Sequence, residues 1–219
     1  MRYELIIFDW DGTLMDSVSR IVSSMQAAAL EVEWGNLEDA AVQDIIGLGL
    51  PEAIEQLCPG IGPIQAERLR QRYAHHFVEA DLTPMTLFDG VAEGIARLRT
   101  RKEQRLAVAT GKSRRGLDRI FAETGSSSWF HASRTADETC SKPDPRMLHE
   151  LLEELSIPAE RAVMVGDTEY DLEMARALGM DRVAVTYGVH APARLNASQP
   201  VFVAEDAAQL FDWLHNASV

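Results

Sequence analysis

The chain has 219 residues, 46% hydrophobic and 25% charged, which is the balance of a globular protein with a substantial core. Its net charge of −13 argues against nucleic acid as a partner, because a nucleic-acid-binding face is normally basic. Strand-sized apolar stretches, two cysteines and the lack of a secretory signal pattern predict neither a membrane span nor a disulfide framework, and we expect a cytoplasmic protein.

Short apolar runs alternate with amphipathic helical patterns along the chain. The first run, residues 5–8, is continuous and ends in acids, as expected for a strand buried in a parallel sheet. Similar runs occupy residues 106–109, 163–165, 183–185 and 201–203, with helical patterns between them. This alternation predicts an α/β fold with a Rossmann-like parallel sheet that is covered by helices on both faces.

One long stretch interrupts the alternation. Residues 16–82 contain helical patterns and turns rich in glycine and proline, but no clear strand. We therefore predict an α/β core formed by residues 1–15 and 83–219, and a small all-helical insert formed by residues 16–82. An insert at this point lies over the carboxyl ends of the strands, where open α/β sheets bind their ligands.

Two acids spaced by one residue follow the first apolar run. Asp9 and Asp11 fall on one side of the chain if it stays extended, and Gly12 then allows a sharp turn. Two carboxylates held close together are unfavourable without a cation or a raised pKa. The pair therefore predicts a functional site at the end of the first strand, with a solvated loop as the alternative.

Polar residues also follow two later parts of the pattern. Thr110 and Gly111 end the second run, where a hydroxyl and backbone amides can hold phosphoryl oxygens. An ordinary strand-to-helix turn would show the same residues. Lys142 precedes a proline that stiffens the backbone, so its ammonium group is directed, although most lysines in such positions lie on the surface.

The last group of acids follows the run at residues 163–165. Asp167 comes directly after Gly166 at the strand end, and Asp171 lies in the first turn of the next helix. An acid in a first helical turn is also favoured by the helix dipole, which is the alternative explanation for Asp171. Each group is weak alone, but together they mark the carboxyl ends of successive strands, which indicates one shared site.

With these residues in this order, the chain resembles the haloacid dehalogenase superfamily of phosphohydrolases over nearly its full length, and is most similar to its phosphoglycolate phosphatase-like branch. The resemblance implies a magnesium-dependent phosphatase that hydrolyses a small phosphate monoester through an aspartyl-phosphate. It implies that the insert is the family's helical cap, which we expect to be mobile and to close over the site. The partner would be a small phosphorylated metabolite, with no nucleic acid or membrane, and the protein a monomer or homodimer.

The resemblance also implies a role for each matching residue. Asp9 corresponds to the nucleophile, and Asp11 to the acid and base that protonates the leaving oxygen and then activates water. Thr110 and the amide of Gly111 correspond to the phosphate-binding turn, and Lys142 to the cation that steadies the nucleophile and the phosphate.

The implied magnesium ligands are Asp9, Asp167 and the backbone carbonyl of Asp11, with Asp171 supporting the metal or the lysine. The acid at Asp11 disfavours the dehalogenase and phosphonate-cleaving branches, which lack it. A phosphomutase and a non-catalytic binding protein of the same fold remain as alternatives. The residues that could also contact a leaving group are Trp10, Lys112, Arg114 and Arg115.

Overall fold

The structure is a computed structural model that describes residues 2–217. Its strands are β1 (Leu5–Phe8), β2 (Met15–Asp16), β3 (Thr86–Leu87), β4 (Arg105–Thr110), β5 (Ala132–Thr135), β6 (Ala162–Gly166), β7 (Asp181–Val185) and β8 (Phe202–Ala204). Its α-helices are α1 (Val18–Glu31), α2 (Asp39–Asp44), α3 (Leu50–Leu57), α4 (Pro63–His75), α5 (Val91–Leu98), α6 (Arg114–Thr124), α7 (Arg146–Leu155), α8 (Glu169–Ala177), α9 (Pro192–Ala197) and α10 (Ala207–Ala217). A π-helical turn (His76–Ala80) follows α4, and short 3₁₀ turns cover Ser127–Trp129 and Ala159–Arg161.

Six of these strands form one sheet in the order β5-β4-β1-β6-β7-β8, and every neighbouring pair is parallel. Parallel neighbours require crossover connections, and the helices between the strands supply them. The predicted α/β fold with a Rossmann-like parallel sheet is therefore confirmed. The central strands β4, β1 and β6 bring their carboxyl ends to the same edge of the sheet.

The first strand shows why its sequence is a continuous apolar run. Leu5 and Ile7 pack on one face of the sheet with residues of α7 and α8, while Ile6 and Phe8 pack on the other with α5, α6 and α10. All four side chains are fully buried. Burying a side chain of this size contributes roughly 1.5–3 kcal/mol, so β1 anchors the loop that follows it.

Three strands were not predicted from the sequence. β5 lies at the edge of the sheet with β4 as its sheet neighbour, and Ala132, Ser133 and Arg134 are only partly buried. An edge strand needs no continuous apolar run, because one of its sides faces solvent. β2 and β3 form a two-residue antiparallel ribbon that is too short to leave a periodic pattern.

Helices α1 to α4 and the π-helical turn lie between β2 and β3, and we call residues 18–80 the inserted helices. They have a hydrophobic cluster of their own, in which Met25, Leu69 and Phe77 are buried. Their predicted role as a closing cap stays a prediction. Within residues 2–217, none of the helices has the length and apolar character needed to cross a membrane.

Candidate active site

The residues predicted for the site lie together at the carboxyl edge of the sheet. Asp9 directly follows β1, Thr110 ends β4, and Asp167 directly follows β6. All three are at most 1% exposed, and Lys142, from the loop before α7, is 2% exposed. Burial of this many polar side chains is costly unless they are paired with one another, so their partners determine what the site can do.

Lys142 links two of the acids. Its Nζ lies 2.6 Å from Oδ1 of Asp9 and 2.6 Å from Oδ1 of Asp171. Burial by itself would lower the pKa of Lys142, but the two carboxylates outweigh it and raise that pKa, so the ammonium stays charged. The alternative of a solvated surface lysine is therefore wrong.

Asp171 has two tasks at once. Its Oδ2 accepts hydrogen bonds from the hydroxyl of Thr168 at 2.7 Å and from the amide of Thr168 at 3.2 Å. Thr168 in turn caps α8 by accepting from the amide of Asp171, which completes a capping box. The carboxylate of Asp171 thus stabilises the start of α8 through Oδ2 and holds Lys142 through Oδ1.

Asp167 is held by a hydroxyl close to the first pair of acids and by a backbone amide that is distant in the sequence. Its Oδ1 accepts from the hydroxyl of Thr13 at 2.8 Å, and its Oδ2 from the amide of Val189 at 2.9 Å. Burial and the charge of Asp171 still raise the pKa of Asp167 to about 7. Gly12 permits this packing: it has a φ of +79°, and a Cβ there would lie 2.3 Å from Oδ2 of Asp167.

The carboxylate of Asp11 has partners outside this buried group. The hydroxyl of Ser17 donates to its Oδ1 at 2.5 Å, and Nζ of Lys112 lies 2.9 Å from its Oδ2. Lys112 also lies 5.0 Å from the ring centre of Phe77, so the inserted helices cover the pair. These contacts use the side chain of Asp11, whereas the predicted metal ligand is its backbone carbonyl, and that role stays a prediction.

Asp9, Asp167 and Asp171 form a buried group of carboxylates whose ligand oxygens lie within 4.8 Å of one another. Among residues 2–217, Oδ2 of Asp9 is a buried oxygen without a hydrogen-bond partner. Burial raises the pKa of Asp9 well above its usual range, with Asp171 and Asp167 adding to the effect and Lys142 opposing it. An unpaired oxygen among crowded carboxylates fits a hard divalent cation such as Mg²⁺, which takes oxygen ligands and offsets this repulsion.

Of the four residues named as possible leaving-group contacts, Lys112 alone forms an ion pair or a side-chain hydrogen bond with a predicted site residue within the described structure. Trp10 is fully buried and packs edge-on against Phe121, with ring centres 5.3 Å apart. Arg114 forms a 2.7 Å ion pair with Glu138, and Arg115 is exposed. Trp10 and Arg114 therefore have structural partners of their own.

A segment of the inserted helices covers the site. We call residues 44–49 the roof segment, because it runs over the turn after β4. A Cβ built on Gly111 would lie 2.4 Å from the carbonyl oxygen of Leu48 and 2.5 Å from that of Gly47. Only a residue without a side chain allows this approach, so the turn at Gly111 and the roof segment are in direct contact.

Comparison with known proteins identifies relatives of this chain. Residues 6–185 match the family model described as haloacid dehalogenase-like hydrolase. The chain is 33% identical to "Probable phosphatase IndB" of Dickeya dadantii over 96% of its own length and 93% of that protein. It is 30% identical to a plasmid-encoded phosphoglycolate phosphatase of Cupriavidus necator, over 85% of this chain and 82% of the relative.

A solved structure described as a predicted phosphoglycolate phosphatase from Haemophilus somnus has the same fold. It superposes with a TM-score of 0.86 at 22% identity, and the alignment covers 98% of this chain and 99% of that one. The chain therefore belongs to the haloacid dehalogenase-like hydrolases. It is a phosphatase-type member, similar to the phosphoglycolate phosphatases, as its motifs predicted.

Proposed function

We propose that this protein is a magnesium-dependent phosphatase that transfers the phosphoryl group of a small phosphate monoester to Asp9 and then to water. The observation that carries the proposal is the environment of Asp9. Lys142 holds its Oδ1 at 2.6 Å, while its Oδ2 is buried without a hydrogen-bond partner among residues 2–217. A carboxylate that is held through one oxygen, and whose other oxygen makes no hydrogen bond, suits a nucleophile.

In the first step, an oxygen of Asp9 attacks phosphorus and the bond between phosphorus and the ester oxygen breaks. Asp11 gives a proton to the departing oxygen, so that an alcohol leaves. The hydroxyl of Ser17 and the ammonium of Lys112 each donate to one oxygen of the Asp11 carboxylate and fix its position, and one of these contacts gives way when Asp11 carries the proton. Thr110 and the amide of Gly111, at the end of β4, are the groups proposed to bind the phosphoryl oxygens.

In the second step, Asp11 takes a proton from water, whose oxygen attacks phosphorus and releases inorganic phosphate and the free carboxylate of Asp9. Lys142 remains charged throughout and offsets the negative charge of the phosphoryl group. Asp9, Asp167 and the backbone carbonyl of Asp11 would hold Mg²⁺, with Asp171 supporting Lys142. Bound there, the cation would add to the charge neutralisation by Lys142, in a protein whose net charge is −13.

The covered site favours small substrates over phosphoproteins. The roof segment touches Gly111 directly, so a leaving group must fit beneath it or displace it. We therefore propose that the inserted helices act as a cap that opens for entry and closes for reaction. Within this class, a small phosphorylated metabolite of the phosphoglycolate type, hydrolysed in the cytoplasm, is the proposed substrate, by similarity to the relatives of that name.

The test combines turnover with trapping of the intermediate. The protein with Mg²⁺ and a small alkyl phosphate, quenched in acid, is expected to carry a phosphoryl group on the peptide that contains Asp9, and Asp9→Asn is expected to carry none. In heavy-oxygen water, the label is expected in inorganic phosphate. Activity of Asp9→Asn within about tenfold of the parent would refute the nucleophile, because removing a covalent nucleophile costs far more.

The same experiment separates the two alternatives. A phosphomutase would form the same aspartyl-phosphate from the alkyl phosphate but release little inorganic phosphate. With a sugar phosphate as the substrate instead, it would pass the group to a sugar hydroxyl and accumulate a rearranged sugar phosphate. A non-catalytic binding protein would give neither product. Steady release of inorganic phosphate is the result that the phosphatase proposal requires.

A further inference from the structure

The roof segment is fastened to the core at Asp44, the last residue of α2. The hydroxyl of Tyr170 donates to the backbone carbonyl of Asp44 at 2.9 Å. Nδ1 of His190 accepts from the amide of Glu169 at 3.0 Å, which leaves Nε2 as the donor facing the carbonyl of Asp44 at 3.3 Å. Two core side chains thus hold one carbonyl group of the inserted helices.

An ion pair reinforces this attachment. Arg194, on α9, pairs with the carboxylate of Asp44 and lies 2.6 Å from Oε1 of Glu169 on α8. The side chains of Arg194 and Asp44 are 33% and 40% exposed, so the pair is partly shielded from solvent. Asp44 and Glu169 are both acidic, and without the guanidinium between them their charges would repel across the same gap.

The other end of the roof segment is also attached. The amide of Gly49 donates to the hydroxyl of Ser141 at 2.7 Å, next to Lys142. Between the two attachments, the carbonyl groups of Gly47 and Leu48 lie against Gly111. The segment is therefore fixed at both ends with the candidate site beneath its middle, and the attachment at Asp44 is its charged end.

We propose that Arg194, assisted by Tyr170, is a positioning residue that holds the roof segment closed over the active site. It belongs to none of the four groups of residues predicted to carry the chemistry. It contacts the roof segment through its ion pair with Asp44, while Glu169 holds it on the core side. The kinetic part of this inference rests on the proposed phosphatase function. The structural part, closure of residues 44–49 by Arg194, does not.

The expected kinetic signature follows from the population of the closed state. When the binding-competent state is less populated, apparent affinity falls by the same factor. At saturating substrate concentration, binding of the substrate shifts the equilibrium back to the closed state. Loss of Arg194 should therefore raise KM and leave kcat unchanged or higher, whereas a change that distorts the catalytic groups would lower kcat.

The direct experiment is amide hydrogen exchange of the metal-free protein, followed on a peptide that covers residues 44–49. Arg194→Met is expected to raise exchange of that peptide roughly threefold to tenfold, the range for a partly exposed ion pair with a second acid beside it. The matched control is Arg176→Met, because Arg176 also lies on a core helix, α8, and its ion pair is with Glu173 of the same helix and not with a residue of the roof segment. It should leave the peptide unchanged.

The double variant Arg194→Met with Asp44→Asn, measured beside both single variants, tests the coupling. It removes one of the two facing charges, so exchange should be no faster than in Arg194→Met alone. Arg194→Lys keeps the charge and should fall between the parent and Arg194→Met. If Arg194→Met does not fold, Tyr170→Phe replaces it, with a smaller rise of about twofold expected from one lost hydrogen bond.

Exchange in Arg194→Met equal to that in Arg176→Met, or fully additive effects in the double variant, would overturn the proposal. A fall in kcat at unchanged KM would also overturn it. Faster exchange in a protein that shows no turnover on any phosphate ester would leave the closure by Arg194 intact and refute the phosphatase function alone.

Discussion

Gly111→Ala is the substitution that most sharply tests whether the roof segment closes on the site during turnover. Gly111 does not have a left-handed φ, so alanine can adopt its backbone conformation and keep its amide as a donor. The variant therefore adds one methyl group and removes nothing. That methyl group would point at the carbonyl oxygens of Gly47 and Leu48.

The size of the disturbance follows from the contact distances. The added Cβ would lie 2.4 Å from the carbonyl oxygen of Leu48, whereas real Cβ contacts are essentially never shorter than 3.0 Å. The roof segment must then retreat by at least 0.6 Å, and a backbone carbonyl cannot move without its neighbours. A misplacement of about 1 Å can cost as much as 10²-fold in rate, so we expect kcat/KM to fall about 10-fold to 100-fold.

The assay compares kcat/KM of parent and variant on a small alkyl phosphate, with urea unfolding measured alongside. Stability should change by less than about 2 kcal/mol, because the inserted helices can move away from the methyl group. Gly116→Ala is the matched control, since its Cβ would meet the hydroxyl of Ser113 at 3.3 Å and nothing of the roof segment. If Gly111→Ala keeps kcat/KM within about twofold of the parent, the roof segment does not lie against Gly111 during turnover.

Three further predictions concern the buried charges. Lys142→Met breaks two 2.6 Å ion pairs and leaves Asp9 and Asp171 uncompensated, which should lower the free energy of unfolding by about 3–5 kcal/mol in urea titrations with chelator. In metal-free protein, burial raises the pKa of Asp167 to about 7 from a usual 3.8, and raises that of Asp9 in the same direction. The folded state therefore binds extra protons, and stability should fall as pH rises from 4 to 7, by about 3 kcal/mol from Asp167. Asp11→Asn should lose about 10²–10⁴ in kcat on an alkyl phosphate and far less on an aryl phosphate, whose leaving oxygen needs no proton.

Each of these has a result that would count against it. A loss below about 1 kcal/mol in Lys142→Met would mean that the ion pairs are not formed in solution. For the pH prediction, Asp167→Asn should make the dependence of stability on pH less steep, and excess Mg²⁺ should do the same. An unchanged dependence in Asp167→Asn would assign the titration to another group. Equal losses on both esters in Asp11→Asn would remove its role as an acid.

The sequence alone determined the class of fold and which polar side chains lie at the carboxyl ends of the central strands. Continuous apolar runs such as residues 5–8 report burial on both faces, which is a local property that a parallel central strand requires. The polar residues at the ends of those runs must then meet at one edge of the sheet. For that reason Asp9, Thr110 and Asp167 could be grouped before any contact was known.

What the sequence did not indicate depends on contacts between segments that are far apart in the chain. The edge strand β5 carries no apolar run, because one of its sides is solvated. The amide of Val189 that holds Asp167 leaves no trace in residue type, because every residue except proline offers an amide. Arg194 meets Asp44 across 150 positions, and only the packing of the inserted helices on the sheet brings them together. The pattern of a strand depends on residues that are neighbours in the sequence, whereas the partner of a charged side chain depends on tertiary packing.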